Sequence, residues 1–276
     1  MKKIAFVILA VGLITSCSKD EPNHAGSTTS PTEVKQLDYI TKIVELDKTS
    51  RRPNAEMNFV YDNQKRLVSF TETLPFTRPV QTYEGTLTYT ANEVLLRYNK
   101  NKYQANLVKP SEYRLKLNAN GKAKELEEKY FFNTETDDRD EDDYVYDRDG
   151  HVTSYDSPIY NSVALTWLNG NLTKSVFERG YVITVDQDYN TYVNRTYPDL
   201  NLFIYGLSAS PVWKYLWSDQ LGLRSKNLLS GTKRESTLPA TESYTYTLDS
   251  KGRPTEVEVN RTDGYSTILV ITYAEN

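Results

Sequence analysis

From Tyr39 onward the chain alternates apolar and polar positions with a period of two, and clusters of Asp, Asn and Gly interrupt the alternation at short intervals. Residues two apart share one face of a strand. A degenerate unit carries the pattern: aromatic-x-Tyr-Asp, a short polar turn often containing Gly, then a second alternating strand. Its clearest copies are Phe59-Val60-Tyr61-Asp62 leading into Leu67-Val68-Ser69-Phe70, and Tyr144-Val145-Tyr146-Asp147 leading through Asp149-Gly150 into Val152-Thr153-Ser154-Tyr155. Tyr244-Thr245-Tyr246 before Gly252 is a third, and Leu115-Lys116-Leu117 and Leu165-Thr166-Trp167 open weaker ones. Asx side chains bond the backbone ahead of them and Gly accepts positive φ, so each unit predicts a hairpin.

Hairpins in series predict an all-β antiparallel meander. Tyr39 to Leu46 reads as a first strand, and Ser266 to Tyr273 reads as a last one, apolar on both faces. Such a strand is interior to a sheet or pairs with the first, so a soluble closed or nearly closed barrel is expected. One stretch near 198–222 breaks the period. Ser210 can cap a helix and Pro211 suits its first turn, while Val212, Tyr215 and Leu216 fall on one stripe. A short helical insertion is expected there. Trp213 and Trp217, four apart, would share a face of it and are the candidate ligand-binding residues; the alternative is that they cover an open end of the sheet.

The N-terminus has a different pattern. Lys2 and Lys3 precede an apolar run from Ile4 to Ile14, followed by Thr15, Ser16 and Cys17, the only cysteine of the 276 residues. The run is too short to span a membrane as a mature helix. Leu13-Ile14-Thr15-Ser16-Cys17 resembles the lipobox of bacterial lipoprotein signal peptides, which implies cleavage before Cys17 and lipidation of its thiol. Ser18-Lys19-Asp20-Glu21 is similar to the lysine-plus-acidic signal that sends Bacteroidetes-type lipoproteins to the cell surface. Pro22 to Thr32 is a polar linker. The expected organisation is a signal peptide at 1–16, a lipidated tether at 17–35 and a β domain at 36–276.

A formal net charge of −4, with Lys and Arg interspersed among acids, argues against a nucleic-acid partner. Of two histidines, His24 lies in the tether and His151 beside the turn Asp149-Gly150, where it is expected to be solvated, so a His-rich zinc site cannot be assembled. There is no Gly-x-Ser-x-Gly elbow and no Gly-rich phosphate loop, and no cofactor is expected. The run Asp137-Asp138-Arg139-Asp140-Glu141-Asp142-Asp143 lacks the Gly of a calcium loop and is expected to be a solvated hairpin tip.

The lipobox, the Tyr-Asp units, the segment Leu221-Gly222-Leu223-Arg224-Ser225-Lys226-Asn227-Leu228 and the aromatic-rich last strand occur together. In this the chain resembles a family of Bacteroidetes-type surface lipoproteins with a porin-like β fold, to which no activity is attached. The resemblance implies a meandering sheet or barrel at the outer membrane. The strands carry charge throughout, as in Thr255-Glu256-Val257-Glu258-Val259, which argues against a membrane-embedded pore. The expected function is a non-catalytic surface module binding a glycan or an envelope protein through Tyr and Trp, attached to the membrane by its lipid alone. The alternatives are a carboxylate-based polysaccharide hydrolase and a purely structural envelope protein.

Overall fold

The computed structural model describes residues 36–75, 77, 80–99, 111–132, 135–156, 162–178, 180–204, 219–237, 239–262, 264 and 266–275, and the backbone alone for 128–132 and 135–142. The signal segment, Cys17, the tether and the stretch from Ser210 to Trp217 lie outside the described residues.

The chain forms a meander: β1 Asp38–Asp47, β2 Pro53–Tyr61, β3 Leu67–Leu74, β4 Gln81–Tyr89, β5 Glu93–Asn99, β6 Ser111–Leu117, β7 Ala123–Phe132 and β8 Glu135–Tyr146. It continues through β9 Val152–Asp156, β10 Ser162–Leu168, β11 Asn171–Glu178, β12 Val182–Val193, the two-residue β13 Thr196–Tyr197 and a short helix α1 Leu200–Ile204. The last strands are β14 Asn227–Glu235, β15 Ala240–Leu248, β16 Pro254–Arg261 and β17 Thr267–Tyr273. Every long strand pairs antiparallel with its sequence neighbours, β12 passes directly to β14, and β17 returns to pair with β1 from Lys42↔Thr272 to Asp47↔Thr267. The result is a 16-strand antiparallel barrel. Among the described residues β9 and β10 are joined by two register pairs, Val163↔Tyr155 and Ala164↔Ser154. β13 adds a parallel pairing to the start of β1.

The two ends of the barrel differ. At one end lie the tight connections β2–β3, β4–β5, β6–β7, β8–β9, β10–β11 and β15–β16, with Asn194 to Ile204 after β12 and Asp219 to Lys226 before β14. We call this the turn end, and the other the loop end. Four of the turns share one construction. Oδ1 of Asp62, Asn118, Asp147 and Asp249 each accepts the backbone N–H groups two and four residues on, at 2.8 to 3.1 Å. The fourth residue takes positive φ, supplied by Gly121, Gly150 and Gly252, and by Lys65 in the Asp62 turn.

A second repeated device closes the base of each strand pair. An inward aromatic near the end of the later strand of the pair donates its polar hydrogen to a backbone carbonyl of the strand before it. Tyr61 bonds Ile40 O (2.5 Å), Tyr89 bonds Leu67 O (2.8 Å), Tyr146 bonds Ala123 O (2.9 Å) and Trp167 bonds Val152 O (2.7 Å). Tyr189, Tyr246 and Tyr273 do the same to Leu172, Leu229 and Pro254. In the β5–β6 pair Leu117 holds the corresponding place and cannot donate. Burial lifts the hydroxyls of Tyr61, Tyr89 and Tyr246 above the ordinary phenol range, so they remain donors at any physiological pH.

Alternation sends Val94 and Leu96 of β5, Leu115 of β6, Phe59 of β2 and Ile43 of β1 inward, where they are buried. α1 closes the turn end from inside, with Phe203 edge-on to Phe59 at 5.7 Å. The opposite face is charged at mid-strand. Arg97 pairs with Glu112 (2.8 Å), Arg114 with Glu93 and Glu127, Lys116 with Glu125 (2.9 Å), and Lys42 with Glu56 (2.9 Å).

Two expectations need correction. The acidic run Asp137 to Asp143 is not a hairpin tip but the middle of β8, in a register that sets Lys129 opposite Asp138 and Glu128 opposite Arg139. His151 is half-buried rather than solvated: its ring stacks on Trp167 at 4.3 Å and its Nδ1 lies 3.1 Å from Asp147 Oδ2. Arg66 and Arg253 occupy the same place in the Asp62 and Asp249 turns, and each covers the ring that follows it, Tyr89 at 4.8 Å and Tyr273 at 4.6 Å.

Candidate functional site

The inward face is not uniform along the barrel. Its turn-end half is aliphatic and aromatic, with the hydroxyls tied to backbone carbonyls. Its loop-end half carries Glu72, Gln81, Tyr83 and Tyr98 on β3 to β5, and Ser175, Gln187, Thr232, Glu242, Tyr244 and Arg261 on β11 to β16. Here the tyrosines bond other side chains. Tyr83 donates to Gln81 Oε1 at 2.6 Å, Tyr244 to Glu242 Oε2 at 2.7 Å, and Tyr98 reaches Glu72 Oε2 only at 3.5 Å. A side-chain acceptor can turn to a ligand at little cost, whereas a strand carbonyl cannot. Two kinds of inward tyrosine are therefore present, one that fastens the wall and one whose partner is exchangeable.

The β3–β5 arc is built around Gly85. Gly85 stands directly between Phe70 and Tyr98 in the ladder, and a Cβ there would lie 2.2 Å from the Phe70 ring. Because there is none, Phe70 lies across β4 and stacks on Tyr98 with centroids 5.9 Å apart, and Tyr83 stacks on Tyr98 at 6.1 Å. Burial, and then the neighbouring Glu72 carboxylate, push the Tyr98 hydroxyl up.

Beside this stack Gln81 is 5% exposed, and its Nε2 has no hydrogen-bond partner among the described residues. Turning the amide over would leave its oxygen in that position instead, so among the described residues one polar end of Gln81 is unsatisfied in either orientation. A buried amide without a partner costs roughly 1–3 kcal/mol.

A second buried polar system lies at the turn end. Tyr189 also bonds Gln187 Oε1 and Ser225 Oγ, both at 2.9 Å, and Asn194 Nδ2 reaches Ser225 O and Asp199 Oδ1. Asp199 is 1% exposed and desolvation raises its pKa, against the lowering pull of Arg224. Arg224 is held by Asp219 (2.6 Å) and by Thr196 O (2.8 Å). The cluster of Asp147, Asp149 and His151 is the turn already described, and the oxygens of Asp147 are engaged within it.

Of the sequence-derived site residues, Cys17, Trp213 and Trp217 lie outside the described residues. Gln81, Glu72 and Tyr98 were not singled out in the sequence; the one signal available was polar residues at inward positions, Gln81 and Tyr83 two apart at the head of a strand.

No family model matches the chain, and no curated protein matches it. Among solved structures it is similar to a porin-like protein from Bacteroides uniformis, with a TM-score of 0.64 and 18% identity over 86% of this chain and 100% of that one. It is also similar to a porin-like protein from Bacteroides vulgatus, with a TM-score of 0.54 and 16% identity over 87% of this chain and 100% of that one. The chain has the barrel fold of these porin-like proteins.

Proposed function

We propose that this chain is an envelope lipoprotein, acylated at Cys17 and held at the outer membrane, with its barrel at the cell surface in water and binding a polyhydroxylated ligand such as a glycan at the loop end. Gln81 carries the binding part of this reading, because a buried amide short of one partner beside stacked tyrosines suits a hydroxyl-bearing ring. The charged outer face supports the aqueous placement, since a barrel in lipid needs an apolar band where this one has Arg97, Arg114 and Lys116. The porin-like fold of the Bacteroides neighbours fits an envelope location.

The test is a glycan array probed with the full chain and with Gln81→Leu and Tyr98→Phe. Binding by the parent that Gln81→Leu abolishes supports the loop-end site. Binding that survives in both variants moves the site elsewhere, and loss only on replacing Trp213 and Trp217 with Ala moves it to that pair. The hydrolase alternative draws on the inward carboxylates Glu72 and Glu242, and polysaccharide turnover lost in Glu72→Gln or Glu242→Gln would favour it over simple binding.

A further inference from the structure

We infer that the loop-end arc of β3 to β5 takes neutral sugars and discriminates against uronic acids and sulfated sugars, with Glu72 setting that choice. The assignment rests on the reading of the loop end as a glycan site, and it names the class of glycan.

The inward face of the arc carries charge of one sign. Among the described residues, Glu72 is the one charged side chain on the inward face of β3 to β5. The other charges of these strands face out. Glu84 is exposed between Tyr83 and the buried Gly85, Arg97 is exposed between the buried Leu96 and Tyr98 and pairs with Glu112 at 2.8 Å, and Glu93 lies 3.5 Å from Arg114. A site built for acidic sugars sets Arg or Lys against the sugar carboxylate, where a charge-assisted hydrogen bond is roughly twice as strong as a neutral one. The arginine of this arc, Arg97, stands on the outer face instead. On β16, Arg261 is 3.4 Å from Glu242 and is engaged there.

Glu72 sits among the polar groups of the arc. It is the ladder partner of Tyr83, which donates to Gln81 Oε1 at 2.6 Å, and its Oε2 lies 3.5 Å from the Tyr98 hydroxyl. Its charge is felt in this interior: burial first, and then the Glu72 carboxylate, raise the Tyr98 hydroxyl above the ordinary phenol range. A group bound at Gln81 lies in the same field. A sugar hydroxyl can accept from the Gln81 amide and donate to the Glu72 carboxylate at once. A sugar carboxylate or sulfate has no proton to give Glu72 and adds a like charge. In a partly desolvated site, a second negative charge within about 6 Å is expected to weaken binding about tenfold.

The test is calorimetric titration of the full chain, at one fixed ionic strength, with soluble oligosaccharides of glucose, mannose and galactose. Each is used as it stands and after oxidation of its primary hydroxyls to carboxylates. The parent is expected to bind a neutral oligosaccharide about tenfold more tightly than its oxidised partner. Glu72→Gln keeps an acceptor oxygen and removes the charge, and should bring the two within about threefold. Glu84→Gln removes the same charge from the outward, exposed position on β4, and should leave the preference as it was. Gln81→Leu should remove binding of both forms. Equal or tighter binding of the oxidised form by the parent needs no variant and overturns the neutral-sugar assignment. A preference that Glu72→Gln leaves intact, or that Glu84→Gln relaxes equally, also overturns it, the second because net charge then sets the choice. In each of these cases, loss of binding in Gln81→Leu keeps the loop-end site standing. Binding of no oligosaccharide by the parent, or binding that survives Gln81→Leu, overturns the loop-end reading and this proposal with it.

Discussion

Replacing Gly85 with Ala tests how the loop-end wall is assembled. The new methyl would meet Phe70 Cε1 and Cζ at 2.2 Å, where ordinary contact begins at 3.4 Å. The ring must then move by roughly 1 Å within a packed interior, a change of the kind that costs about 1–3 kcal/mol. Phe70 is 1% exposed and already stacked on Tyr98, so the upper part of that range is expected. At this size of domain about 3 kcal/mol lowers Tm by roughly 6–12 °C. Urea denaturation of the parent, Gly85→Ala, Phe70→Leu and the double variant gives the decisive quantity. If the methyl harms by striking that ring, the double variant should be more stable than the two single losses imply, by about 1–2 kcal/mol. Additive losses, or a Gly85→Ala protein within about 0.5 kcal/mol of the parent, would refute the account.

Tyr189→Phe removes a hydroxyl bonded to Leu172 O, Gln187 and Ser225, and should cost about 1–3 kcal/mol by denaturant titration. Gly222 has φ +66° and its missing Cβ would lie 2.4 Å from Gly150 O, so Gly222→Ala should destabilise the protein more than Ala at the open Gly121, as read by their melting temperatures. The raised pKa of Asp199 means that its favourable contribution is complete below the unfolded carboxylate value and is lost as pH rises through the folded one. Asp199→Asn should therefore gain on the parent as pH rises from the carboxylate range towards neutrality, and a pH-independent difference between their stabilities would contradict this. Cys17→Ala should abolish fatty-acid labelling of the protein in growing cells, and label retained in the variant would remove the anchor from Cys17.

The meander was legible because period-two alternation and Asx-Gly turns are local signals, and the apolar last strand announced closure onto the first. The clips were not. Periodicity says that Tyr61 and Tyr146 face inward, but nothing local names Ile40 O or Ala123 O as the acceptors. His151 was misjudged as a single residue; aligned with Arg66 and Arg253 in the sibling turns, it stands where a flat cationic or aromatic group covers the next ring. The acidic run reads as a tip by composition, and composition does not report the pairing with β7 that makes it a strand. Gln81 escaped notice because its significance is a missing partner, and sequence does not report which hydrogen bonds fail to form.

The clips bear on how such a barrel changes size. Each ties a strand to the one before it, across 15 to 23 residues, and each turn is completed within five residues. Contacts of this range favour rapid local assembly, and they make the wall a chain of nearest-neighbour modules, as in repeat proteins. The β1–β17 seam, the β12–β14 pairing and the short β1–β13 pairing are the long-range links of the wall. Deleting a complete clipped pair, or duplicating one, would alter the circumference while leaving every remaining module with its own fastening and a seam of unchanged chemistry. Lineages carrying this architecture can therefore vary bore by recombination in steps of two strands, without redesigning any single strand.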